Sequence, residues 1–259
     1  MKLFDTHTHI FSDDFNHDRH ESVARAKAVG VKGMILPNID SHSIDALIRT
    51  SEQFPNYCLP GMGLHPTSVK ENFADELQIV EEWFAKYKFY AVGEIGIDLY
   101  WDKTYIAQQM EAFRFQLRLA KRLGLPVIIH TRNSFDEVLS IVDQENDERL
   151  RGVFHSFTGN LDNYNQIIAY GGFMIGIGGV VTYKHGGVDK LVGQMDLKHI
   201  VLETDSPYLS PVPQRGKRNE SENLTYTLNR VAELLDIPAE KVAETTTRNA
   251  CKLFSIDFD

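Results

Sequence analysis

Cysteine is nearly missing from this chain. Cys58 and Cys251 are the only two, they lie far apart, and they match no zinc or redox spacing. A disulfide scaffold is therefore excluded, and any bound metal must be held by histidines and carboxylates. No apolar run is long enough to cross a bilayer, and the start lacks the basic and hydrophobic blocks of a secretory signal, so a cytoplasmic protein is expected. Positive charge is also in short supply, with 27 Lys and Arg against 36 Asp and Glu and a net charge of −9. That balance argues against wholesale nonspecific attraction to a polyanion. A nucleic-acid substrate stays open, because bound divalent cations and a few arginines can reverse the potential of one site.

What the chain does have is an alternation that repeats from end to end. Strand-like apolar runs fall near Lys2–His9, Gly33–Pro37, Tyr57–Leu64, Tyr90–Ile95, Pro126–His130, Gly152–His155, Phe173–Ile177 and His199–Thr204. Amphipathic stretches between them predict helices over Asp14–Val29, Ser43–Phe54, Asp75–Tyr87, Tyr105–Leu123, Ser134–Glu145, Asp162–Tyr170, Val188–Met195 and Glu222–Leu235, with an extra one over Glu240–Leu253. Eight strand-then-helix units without a linker predict a single (β/α)8 TIM barrel over residues 1–259, with an extra C-terminal helix. At 42% hydrophobic residues the chain can bury a core of that size. A doubly wound open sheet is the competing architecture, but no G-x-G-x-x-G follows the first strand.

Active sites of barrels sit at the carboxyl ends of the strands, and those ends collect the chemistry here. His7 and His9 follow strand one, His65 follows strand three, and Glu94 lies on strand four. His130, His155 and Asp205 close strands five, six and eight. His130 or His155 taken alone reads equally as a satisfied core histidine, and Asp205 before Ser206-Pro207 as a turn cap. Together they exceed what one tetrahedral ion needs, which points to two divalent metal ions, Mg, Mn or Zn. Glu94 is the natural bridge, with His7, His9 and Asp205 completing one ion and His130 and His155 the other.

These residues resemble the TatD-related metal-dependent deoxyribonucleases of the amidohydrolase superfamily. The matching segments are Phe4-Asp5-Thr6-His7-Thr8-His9, Gly63-Leu64-His65-Pro66, Gly93-Glu94-Ile95-Gly96-Ile97-Asp98, Ile129-His130-Thr131-Arg132 and His155-Ser156-Phe157-Thr158-Gly159. Glu203-Thr204-Asp205-Ser206-Pro207-Tyr208-Leu209, Arg215-Gly216-Lys217-Arg218-Asn219-Glu220 and Thr247-Arg248-Asn249-Ala250 continue the match. The resemblance implies hydrolysis of phosphodiester bonds of DNA, single-stranded and exonucleolytic, and assigns the metal ligands as above. One departure is visible: Ser221 stands where the family pattern usually has Pro.

Asp205 is expected to act as general base, with Glu94 at the reacting centre. Glu203 shares the face of Asp205 and either orients a ligand or water or balances charge inside the barrel. His65 and Arg132 are candidates for contacts to phosphoryl oxygens, although Arg132 reads equally as a rim salt bridge. Arg215 and Arg218 belong either to a phosphate-contacting loop or to a solvated one. Trp101, Tyr100 and Phe11 could stack on an unpaired base or form a hydrophobic lid. DNA or another phosphodiester is the expected partner, with no membrane and no stable protein partner. The alternatives are a superfamily hydrolase or deaminase acting on a small phosphate ester or amide, and a non-catalytic metal-bound scaffold.

Overall fold

The computed structural model describes residues 1–184 and 187–257. Among them run eight strands: β1 (Leu3–Asp5), β2 (Val31–Pro37), β3 (Cys58–Gly61), β4 (Val92–Asp98), β5 (Val127–Arg132), β6 (Gly152–Phe154), β7 (Phe173–Ile177) and β8 (Ile200–Leu202). The helices α1 (Arg19–Ala28), α2 (Ile44–Gln53), α3 (Phe73–Lys86), α4 (Ile106–Leu123), α5 (Phe135–Glu145), α6 (Leu161–Ala169), α7 (Val188–Val192) and α8 (Leu224–Leu235) alternate with them, and α9 (Ala239–Phe254) follows.

All strand pairs are parallel, in the orders β1-β2-β3 and β4-β5-β6-β7-β8. Backbone bonds join the two sets into a ring. Gly93 N–H donates to the Met62 carbonyl at 2.9 Å on one side, and on the other Thr6 N–H reaches Leu202 O at 3.1 Å and Asp205 N–H reaches His7 O at 2.9 Å. The expected barrel is thus the fold.

Its lumen is filled by roughly one side chain per strand. Phe4, Ile35, Leu59, Ala91, Ile128, Val153 and Val201 form a buried cluster of their own, with Leu253 and Phe254 of α9 packed against it. The extra helix therefore plugs the amino-terminal end of the barrel. The larger cluster, with Met34, Val92, Ile129, Phe154 and Ile175, packs between barrel and helices. Successive strand residues point to opposite faces, so Ile128, Val153 and Val201 predict that His130, His155, Glu203 and Asp205 follow them on the lumen side.

The first and fourth strands break that parity. The pairing register shifts between Leu3 and Asp5 and again between Val92 and Ile95. Such irregularities re-aim side chains, and here they bring His7, His9 and Glu94 to the cavity although Phe4 and Ala91 already occupy the lumen. The expected first strand, Lys2–His9, correspondingly stops at Asp5, whose carboxylate accepts from His7 N–H at 3.2 Å and Thr204 N–H at 3.0 Å. The first helix is also shorter than expected. Ser12 caps a 3-10 turn over Asp13–Phe15, and α1 begins only at Arg19. No helix among the described residues is long and apolar enough to cross a membrane.

Candidate metal centre

Glu94 sits at the middle of the carboxyl-end cavity, 2% exposed, and its two oxygens face different partners. On one side, His7 Nε2 lies 3.2 Å and His9 Nε2 3.6 Å from Oε2, the two imidazole nitrogens are 3.1 Å apart, and each lies 3.7 Å from Asp205 Oδ1. Four donors each about 2.0–2.2 Å from a cation in a tetrahedron stand about 3.3–3.6 Å from one another. The separations among His7, His9 and Glu94, and those of both imidazoles from Asp205, come close to that requirement.

On the other side, His130 Nδ1 is 2.9 Å, His65 Nε2 3.4 Å and His155 Nε2 3.5 Å from Glu94 Oε1. The sequence suggests His65 as a phosphate contact. It stands as close to Glu94 as His155 does, because its Nδ1 is held by Thr67 Oγ1 at 2.6 Å and turns Nε2 inward.

The carboxylates behind the imidazoles orient them. Glu203, fully buried, receives His155 Nδ1 at 3.0 Å and Ser156 N–H at 2.5 Å on Oε1. Gly176 makes room for it, since a Cβ there would stand 2.3 Å from Glu203 Oε2. Asp98, to which the sequence assigns no role, receives His130 Nε2 on Oδ2 at 2.9 Å. The available signal was its position four residues after Glu94 on one strand, hence on the same face.

Desolvation works against every charge in this cluster, so partners decide the protonation states. Burial alone would raise Glu94, but His65, His7, His155 and the His130 hydrogen bond hold it well below the usual carboxylate range. Burial also works against a charged His155, yet Glu203 and Glu94 push it up to about 10. His130, between two carboxylates, is raised as well. His7 is pushed well below the ordinary imidazole range by burial and by His155 stacked on it at 3.6 Å. Burial raises Asp205 to about 6. Glu94, Asp98, Glu203 and Asp205 thus put four carboxyl groups at one barrel mouth, whose charge protons on His130 and His155 offset in part and bound cations could offset instead.

The cavity in front of the cluster measures about 710 Å³, a size suited to a small ligand, and Arg132, Trp101 and Tyr208 line it. Arg132 lies over the Tyr100 ring at 3.8 Å and makes no carboxylate pair among the described residues, so the rim salt bridge is not formed. Arg215 and Arg218 do not line this cavity. Arg218 is bound to Asp18 at 2.6 Å and Glu220 at 2.7 Å, and Arg215 packs over Tyr183 at 4.2 Å. Phe11 is buried edge-on to His9 and offers no stacking face, whereas Trp101 and Tyr100 are exposed.

A TatD-related DNase family model matches residues 4–255. The chain belongs to the TatD-related DNase family. It is a metal-dependent hydrolase, and several relatives match it over nearly all its length. The metal-dependent hydrolase YabD of Bacillus subtilis is 34% identical over 98% of this chain and 100% of its own. The 3'-5' ssDNA/RNA exonuclease TatD of Citrobacter rodentium is 31% identical over 98% of both chains, and the human deoxyribonuclease TATDN3 is 31% identical over 97% of this chain and 94% of its own. The crystal structure of the TatD homologue YjjV of Escherichia coli superposes with a TM-score of 0.92 at 28% identity, covering 98% of both chains.

Proposed function

We propose that this TatD-family chain releases nucleotides from an end of single-stranded DNA by hydrolysing phosphodiester bonds with two divalent cations, Mg, Mn or Zn. The observation that carries the reading is the divided surroundings of Glu94, with His7 and His9, themselves beside Asp205, near one oxygen and His65, His130 and His155 near the other. Relatives named as exonuclease and deoxyribonuclease support the substrate.

His7, His9, Glu94 and Asp205 would hold one cation, and Glu94, His130 and His155, joined by His65, the other. Bound there, divalent cations supply Lewis-acid stabilisation of phosphoryl charge and make water easier to deprotonate. Asp205 takes the proton of the attacking water, a role suited to a carboxyl that burial places near the working pH. Arg132, a fork-shaped cation at the cavity, binds the phosphate oxygens and orients phosphorus for attack. Glu203 and Asp98 fix the rings of His155 and His130.

The test supplies Mg²⁺, Mn²⁺ and Zn²⁺ in turn to chelator-treated protein, with single-stranded DNA, duplex DNA and small phosphate esters as substrates. Release of nucleotides from single-stranded DNA, abolished by chelation and absent in Glu94→Ala, is expected. Intact DNA beside rapid turnover of a small ester would overturn the proposal.

A further inference from the structure

We infer that Trp101, held beside Tyr100 and Arg132 at the mouth of the cavity, seats an unpaired nucleobase next to the scissile phosphodiester. The inference rests on the nuclease reading and adds the part of the substrate that is bound besides phosphate.

Large aromatic side chains are seldom left bare in water, yet Trp101 is 68% and Tyr100 52% exposed, side by side after β4. Trp101 borders the same cavity as Glu94 and His130. Its backbone is fixed by the centre itself: Asp98 Oδ1 accepts from Tyr100 N–H at 2.9 Å and Trp101 N–H at 3.2 Å, while the other oxygen of that carboxylate holds His130. The turn carrying the indole is thus tied to a ring beside Glu94.

Tyr100 and Arg132 complete the arrangement. The guanidinium lies 3.8 Å over the Tyr100 ring and 5.3 Å from the centre of Trp101, and the two aromatic rings meet edge to face. Tyr100 therefore covers one face of Arg132 and keeps it at the rim, where no carboxylate among the described residues neutralises it. An unpaired cation beside an open indole is complementary to one nucleotide, the cation to its phosphate and the indole to its base. Stacking tolerates any base, since every base has a π-face, so the subsite selects for an unpaired base and not for a sequence. A base covered on both faces in a duplex interior cannot use it.

The experiment compares two single-stranded oligonucleotides, one natural and one carrying tetrahydrofuran in place of the base at its last two 3′ positions, with wild type, Trp101→Ala and Trp101→Phe. Removing the bases is expected to lower wild-type kcat/KM about 10- to 100-fold. Trp101→Ala should lose a similar factor on the natural strand and stay within about twofold of wild type on the base-free one, with Trp101→Phe close to wild type on both. Equal losses by Trp101→Ala on both strands, or full activity on the natural one, would overturn the inference while leaving the nuclease reading intact. Wild type that releases nothing from the natural strand would overturn both.

Discussion

Replacing Glu203 by Gln keeps the size of the side chain and an acceptor for His155 Nδ1 but removes one buried charge. With that charge present, His155 is pushed up to about 10 against the opposing effect of burial. At pH 8.5 a group titrating near 10 is about 97% protonated, whereas one near the ordinary imidazole value is about 1% protonated. The variant falls back toward the ordinary range, because burial then opposes the charge and only Glu94 and Asp205 favour it. A cation that takes His155 Nε2 must displace the proton there, so binding to wild type releases it. Chelator-treated protein titrated with Mn²⁺ at pH 8.5, in buffers of different ionisation enthalpy, reports the protons released. Wild type is expected to release about 0.5–1 proton per chain more than Glu203→Gln, His130 contributing equally to both. One cation should also bind about 10- to 100-fold more weakly to the variant, which loses the partner that orients the ring. Equal proton release would show that Glu203 does not set the state of His155, or that His155 takes no cation.

Three further outcomes follow from the geometry. Gly96→Ala places a Cβ 2.0 Å from the His130 carbonyl at a backbone φ of +140°, and should cost about 3 kcal/mol in chemical denaturation and lower the retained metal. Asp205 must be ionised to accept a proton, burial places it at about 6 and a neighbouring cation pulls it lower. Activity should therefore rise with unit slope in log kcat/KM at low pH and level off by about pH 7 or below; a profile still rising at pH 8 would exclude Asp205 as the base. Arg218→Ala should leave nuclease kcat/KM within about twofold while lowering stability by about 1 kcal/mol through lost pairs to Asp18 and Glu220, whereas Arg132→Ala should lose about 10- to 100-fold in kcat/KM on DNA.

Much of this could be read along the chain, and the places where reading failed share a cause. Alternation carries inward-facing residues from Ile128 to His130 and from Val201 to Glu203 and Asp205, so strand-end parity was enough there. Parity fails in β1 and β4, where register shifts turn His7, His9 and Glu94 inward. Those residues were found by type and position at the strand ends, and no local pattern announces the shifts. The side of Glu94 on which His65 falls depends on its bond to Thr67, a rotamer that sequence does not specify. Arg218, with Lys217 and Arg215 beside it, reads along the chain equally as part of a phosphate-contacting loop or of a solvated one. Its carboxylate partner Asp18 lies 200 positions away and meets it only after the barrel closes. Asp98 has no signature in residue type, because a carboxylate that holds a histidine looks in sequence like any acidic residue at a strand end. Ser221, the departure from the family pattern, turns out to donate to the buried Asp5 at 2.7 Å, a bond that proline could not make.

The claim on which the rest depends is that Glu94 joins two cation sites. Crystals soaked in Mn²⁺ and measured by anomalous scattering test it directly. Two peaks are expected, both in contact with Glu94, one beside His7, His9 and Asp205 and the other beside His130 and His155. A single peak, or peaks that do not touch Glu94, would contradict it.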